Sequence, residues 1–214
     1  MGNMNKQSWY DLVKNNAVLK PYSAKEIIQF QGHKSETIGL VISGQIETVS
    51  YSEDGDEIWI EEVSEGGFIG HDSFLKDIPC QYEHIAKSDV SLLLLSTSKM
   101  HDLLSADELL LKDFIQDFSE RLHSARDSLV GAHVMSVKER ICAELIRLSH
   151  EIGIEPDRYI IRPNPGIADM ARRLNSRRET VSRTVSDLQK MGVLSREPGA
   201  LIIENRHKLK TAFR

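Results

Sequence analysis

Leu111, Ile115, Phe118, Leu122, Ala125, Leu129 and Ala132 recur at spacings of 4, 3, 4, 3, 4 and 3, with no proline among them. That is the a/d seam of a helix held for about three heptads, with a period near 3.5. The positions beside it are charged: Lys112, Asp113, Glu120, Arg121, Arg126 and Asp127. Such a stripe either packs on its own domain or pairs with a second copy. The period and the charged flanks favour a dimer. Ser105-Ala106-Asp107-Glu108 has the Ser-x-x-Glu form of a capping box and predicts where this helix starts. Gly131 predicts a loosened end and a hinge over Gly131–Met135.

The chain reads differently on either side of that helix. Residues 8–19 suggest a short helix, with Trp9, Leu12 and Val13 on one side. From about Lys25 to Thr97 the pattern is short β-branched or apolar runs: 27–30, 38–42, 45–49, 58–60 and 92–95. Ser43-Gly44 and Glu53-Asp54-Gly55-Asp56 read as hairpin turns, since glycine accepts the positive φ they need. Many short strands at close spacing predict a small barrel or roll.

The net charge is −5, which is unusual for a nucleic-acid binder, but its distribution reverses that impression. Residues 1–135 carry 11 Lys and Arg against 22 Asp and Glu, while residues 136–214 carry 16 against 10. An acidic body joined to a basic C-terminal third is the asymmetry expected when one part meets phosphate. The two cysteines, Cys80 and Cys142, form no CxxC pair and are too few for a four-thiolate site. They read as reduced, mostly buried thiols. No stretch reaches the apolar length of a membrane span, and Met1–Lys6 lacks the apolar core of a signal peptide. The expected location is the cytoplasm. No catalytic dyad, metal-spaced cluster or phosphate loop points to an enzyme.

A second capping box, Ser136-Val137-Lys138-Glu139, opens another helix pattern with Ile141, Leu145 and Leu148 inward and Gly153, Pro156 and Asp157 at its end. The most informative segment follows, from Ile167 to Leu188. Ile167, Met170, Ala171 and Leu174 make one small apolar face, and Asn175-Ser176 make a polar turn. Val181, Val185 and Leu188 bury a second helix. The opposite face then offers Arg178, Glu179, Ser182 and Arg183 at its N-terminal end, the end that enters the major groove in helix-turn-helix proteins. Arginine donates two bonds to guanine, and glutamate accepts from the cytosine amino group. Arg177 and Thr180 suit phosphate. A solvated face with local Arg–Glu pairs is the ordinary alternative. Residues 194–203 read as strand, Pro-Gly turn and strand, a wing whose Arg196 would meet phosphate.

Arg178-Glu179-Thr180-Val181-Ser182-Arg183 is similar to the recognition-helix signature of the family of the cyclic-AMP receptor protein and the fumarate–nitrate reductase regulator, the Crp–Fnr regulators. Val41-Ile42-Ser43-Gly44-Gln45-Ile46 and Gly66-Gly67-Phe68-Ile69-Gly70 match the glycine placements of its nucleotide-binding roll. The resemblance implies an α+β fold of three parts: a cyclic-nucleotide-binding-like β-roll sensor over residues 1–104, a dimerisation helix and hinge over 105–135, and a winged helix-turn-helix over 136–214. It also implies a homodimer on a palindromic double-stranded site, with RNA polymerase as a partner and no membrane. The effector region would hold Phe68, Ile69, Gly70, His71, Cys80, Gln81, Ala125 and Arg126.

There the sequence departs from the family. His71 stands where cyclic-nucleotide binders place a glutamate, and Cys80-Gln81 falls near where they place an Arg-Ser or Arg-Thr pair for the cyclic phosphate. A buried phosphate needs charge-assisted donors, so the expected effector is a small molecule other than cyclic AMP or cyclic GMP. Haem on His71 or His84 stays open beside the ordinary reading of each as a hydrogen-bonded or exposed side chain. So does a roll that binds nothing and serves a constitutive DNA binder. No cofactor is assigned.

Overall fold

A computed structural model describes residues 17–76, 78–151 and 158–213. The chain divides into two compact units, residues 1–123 and 124–214.

In the first unit the strands are β1 (Val18–Tyr22), β2 (Ile27–Gln29), β3 (Thr37–Ser43), β4 (Gln45–Tyr51), β5 (Glu57–Ser64), β6 (Phe68–Ile69), β7 (Glu83–Ala86) and β8 (Val90–Ser96). They form two four-stranded sheets, ordered β1-β8-β3-β6 and β2-β7-β4-β5. Every pairing is antiparallel. One apolar cluster, including Val41, Ile69 and Leu92 from the first sheet and Ile46, Val63 and Ala86 from the second, lies between them. The other face of the first sheet packs Ile38, Leu40, Leu93 and Leu95 against helices. Burial on both faces explains why Leu92–Leu95 is apolar without alternation.

Among the described residues of this unit there are three helices: α1 (His71–Lys76), α2 (Thr97–Ala106) and the start of α3 (Glu108–Val134). Helix α2 escaped the sequence reading, although Ser96 caps it by accepting from Lys99 N at 3.2 Å and it buries Met100 and Leu104 one turn apart. It also corrects the predicted capping box. Ser105 lies inside α2, and the cap of α3 is Asp107, whose Oδ1 accepts from Leu109 N at 2.9 Å and Leu110 N at 3.1 Å.

Two further expectations are corrected here. Glu53–Asp56 is a hairpin between β4 and β5, but Ser43-Gly44 joins strands of different sheets. Gly44 has φ +89°, and a Cβ there would sit 2.2 Å from the carbonyl oxygen of Asp89, so the corner admits only glycine. Of the helix expected over 8–19, residues 8–16 lie outside the described residues, and Val18 and Leu19 belong to β1.

Helix α3 runs through Gly131 to Val134, with Met135 N bonded to Gly131 O at 2.9 Å. Gly131 therefore does not loosen it, and the helical run stops at Met135. The second unit continues with α4 (Val137–Leu148), β9 (His150–Glu151), β10 (Tyr159–Ile161), α5 (Ile167–Arg173), α6 (Arg178–Lys190), β11 (Leu194–Glu197), β12 (Ala200–Ile203) and α7 (Arg206–Thr211). The capping box at Ser136 is present in both directions: Ser136 N donates to Glu139 Oε2 at 2.7 Å and Glu139 N donates to Ser136 Oγ at 3.3 Å. The helix stop read at Gly153, Pro156 and Asp157 lies outside the described residues, and α4 ends earlier, at Leu148. The sheet order is β11-β12-β10-β9, so the wing hairpin is extended by two strands the sequence did not disclose. Among the described residues, no helix is long and apolar enough to cross a membrane.

Candidate nucleic-acid interface and effector region

Ile141 and Leu145 of α4, Met170 and Ala171 of α5, Val181, Val185 and Leu188 of α6, and Leu194, Leu201 and Ile203 of the wing form one buried cluster. It fixes both helices of the helix-turn-helix. The chain leaves α5 through Asn175, which adopts the left-handed φ of +44° that asparagine tolerates. Leu174 N bonds to Met170 O at 3.1 Å and Ser176 N to Ala171 O at 2.9 Å. From α4, Arg140 Nη1 donates to Leu174 O at 3.2 Å and holds the turn. Arg173 is buried between Asp169, at 3.2 Å, and Glu144, at 3.8 Å. Glu144 also accepts both arms of Arg147 at 2.7 Å. This network ties α5 to α4, and the sequence reading missed it. Its signal is the i,i+4 pair Asp169–Arg173.

With α6 clamped on one side, its other side is set. Arg177 is the N-cap, with extended backbone and no side-chain cap bond. Arg177, Arg178, Glu179, Ser182 and Arg183 are exposed, and Thr180 is half-buried. Arg178, Glu179 and Arg183 form no ion pair among the described residues, so the local Arg–Glu pairing of a merely solvated face is not seen there. Thr184, buried beneath them, donates its hydroxyl to Thr180 O at 2.8 Å. The face is therefore a preformed row of guanidinium and carboxylate groups over an apolar base. Gly199 turns the wing with φ +72° and leaves Arg196 exposed.

The anticipated effector residues divide between the two units. Phe68, Ile69, Gly70 and Cys80 are buried, Gln81 is exposed, and Ala125 and Arg126 are exposed on the part of α3 that belongs to the second unit. Gly70 has φ +86°, and a Cβ there would meet Thr37 O at 2.7 Å. A shallow cleft of about 310 Å³ on the roll is lined by Tyr22, Ser43, Asp89 and Ser91 among others, and contains none of them.

The side chains that do meet behind the Phe68–Gly70 cassette were largely missed by the sequence reading. Arg121, read there only as a charged flank of the seam, donates Nε to Glu61 Oε2 at 3.1 Å, Nη2 to Glu61 Oε1, and Nη1 to Phe68 O at 2.7 Å. Asp117 Oδ2 lies 3.6 Å from Nη1. Burial alone would lower the Arg121 pKa, but its bonds to Glu61 and the nearby Asp117 charge raise it on balance.

His71 lies edge-on to Phe118, with ring centroids 5.0 Å apart, and its Nε2 is 3.8 Å from Asp72. Burial, and then the Arg121 charge, lowers its pKa. His84 is buried with Nδ1 3.1 Å from Thr48 Oγ1 and Nε2 3.8 Å from Cys80 Sγ. Burial pushes its pKa down to about 3, helped by the Arg121 and His71 charges. Both nitrogens of His84 thus face protein atoms, as in a core histidine. Burial raises the Cys80 thiol, and it pushes Cys142 up to about 11. Among the described residues, no three His, Cys, Asp or Glu side chains are placed to hold a metal ion.

Comparison with known proteins agrees with this architecture. The model of the cyclic nucleotide-binding domain matches residues 19–107, and that of the Crp-like helix-turn-helix domain matches residues 139–212. The chain is 25% identical over 205 residues to the anaerobic regulatory protein of Bacillus subtilis, covering 94% of this chain and 86% of that one. It is 23% identical over 185 residues to the cAMP-activated global transcriptional regulator CRP of Pasteurella multocida, covering 85% and 88%. In fold it is similar to a CooA mutant from Carboxydothermus hydrogenoformans, with a TM-score of 0.85 at 17% identity over 99% of this chain and 97% of that one.

Proposed function

The chain belongs to the Crp–Fnr family of transcription regulators, and from that premise we propose that it is a homodimeric, sequence-specific DNA-binding regulator whose β-roll governs the pose of two reading helices. The observation that carries this reading is helix α6. Val181, Val185 and Leu188 are locked into the core, while Arg178, Glu179, Ser182 and Arg183 stand exposed on the other side. A glutamate facing DNA is unfavourable unless it meets a donor such as the cytosine amino group. Its place between arginines favours base reading over mere attraction to phosphate. Arg177 and Thr180, at the positive end of the helix, take phosphate and set the register.

The division of labour follows: residues 1–104 sense, 105–135 pair and transmit, and 136–214 read DNA. The seam of α3 supports the dimer, because Ile115, Leu122 and Leu129 are 56%, 52% and 61% exposed in the single chain whereas Leu110 and Phe114 are 2% and 3%. A two-fold dimer demands a palindromic site with half-sites about one helical turn apart. RNA polymerase and the cytoplasm are the partner and the location this activity needs. The effector is a small molecule other than a classical cyclic nucleotide. The guanidinium next to the cassette is already bonded to Glu61, and neither Cys80 nor Gln81 supplies a positive charge for a phosphate.

Arg183→Ala tests the reading. Binding to the preferred duplex should weaken by about 1–3 kcal/mol and one base position should become permissive. An equal loss on random duplexes would assign Arg183 to phosphate contact and leave the base-reading role without support.

A further inference from the structure

Helix α3 turns two faces to different surroundings within the first unit. Leu110, Phe114, Asp117 and Arg121 meet the roll, while Leu111, Ile115 and Leu122 stand exposed. At 100° per residue these rows lie about a third of a turn apart, so rotation of the helix would change what the seam presents. Burial of Leu110 and Phe114 opposes a rotation large enough to expose them, but it is non-directional and does not by itself fix the setting of the helix. A guanidinium fork on a carboxylate is directional. Arg121 supplies one, reaching Glu61 on β5 with two nitrogens and the Phe68 carbonyl on β6 with the third.

A second carboxylate is at hand. Asp117, one turn earlier on the same helix, has an Oδ2 that is buried, lacks a hydrogen-bond partner and lies 3.6 Å from Nη1 of Arg121. The other titratable groups acting on this cluster are His71, Asp72 and His84 from the roll and Glu120 from the helix. One guanidinium thus has two carboxylate seats, one on the roll and one on its own helix. Burial pushes the Asp117 carboxyl up, although the Arg121 charge and its side-chain contact act to lower it.

We propose that Arg121 is a two-position latch. Seated on Glu61, it ties α3 to the roll and fixes the rotation of the helix. Moved wholly onto Asp117, with which it already shares an i,i+4 ion pair at 3.6 Å, it releases the helix from the roll. Arg121 is a positioning residue in this scheme, and its effect on DNA binding rests on the regulator reading above.

The two seats give the latch opposite responses, which a merely structural ion pair would not. Hydrogen–deuterium exchange over residues 114–123 of the purified full chain reads the engagement directly. Glu61→Gln should speed that exchange, on the order of tenfold, and shift affinity for the preferred duplex in one direction. Asp117→Asn should slow the exchange and shift affinity the other way. Changes of the same sign in both variants, or none, overturn the latch. If Glu61→Gln fails to fold, Asp117→Asn decides alone: slower exchange supports the latch, and unchanged or faster exchange overturns it. A wild-type protein that binds no duplex would sink the regulator reading, while the exchange comparison would still judge the latch.

Discussion

His84 shows how one buried side chain makes stability depend on pH. The imidazole on β7 is enclosed beside Thr48 and Cys80, and its pKa is pushed down to about 3 from an ordinary 6.5. The folded state disfavours its protonation, while the unfolded chain allows it near 6.5. The stability this group contributes is therefore fully present above pH 6.5 and is lost progressively as the pH falls toward 3. Between pH 7 and pH 5 the loss should be on the order of 2 kcal/mol. Urea unfolding at the two pH values measures it, and His84→Gln should show the smaller fall. Equal falls would place the acid sensitivity elsewhere, with His71, also lowered by burial, as the next group to test.

At the scale of elements, α3 carries the firmest expectation. Replacing Ile115 and Leu122 together with glutamate puts charge at two exposed seam positions that lie outside the roll's own core. Sedimentation should show a dimer for the natural chain and a monomer for the variant, with the roll still folded. A natural chain that sediments as a monomer, or a variant that remains dimeric, would contradict the seam.

The periodicity of this helix, the capping box at Ser136 and the helix-turn-helix pattern were all legible in the sequence, because each depends on contacts three or four residues apart. What was illegible depends on partners far along the chain. Ser43-Gly44 looks locally like a hairpin turn, yet the close approach of Asp89 makes it a corner between sheets. Ser105 looks like a cap, yet Met100 and Leu104 draw the preceding residues into a helix of their own. Arg121 looks like one more charge flanking a seam, and its meaning appears only when β5 brings Glu61, sixty positions away, beside it. The residues proposed to read DNA were easier to name than those expected for an effector for the same reason: one helix carries the first set, whereas the second was drawn from several strands and a helix.

At the scale of the whole molecule, charge divides the chain much as its two matched domains do. Residues 136–214 have a net charge of +6 and residues 1–135 one of −11. On the proposed function, the basic part would be drawn to DNA and the acidic part repelled, which would orient the approach before any base is read. Affinity should accordingly fall steeply as salt rises, but specificity should survive, because it resides in the side chains of α6 rather than in charge alone. Selection of bound sequences from random duplexes by the purified protein tests that claim most directly. The account predicts a two-fold symmetric consensus whose half-sites are centred about one helical turn apart. Recovery of sequences with no consensus, or with a single unpaired half-site, would contradict it.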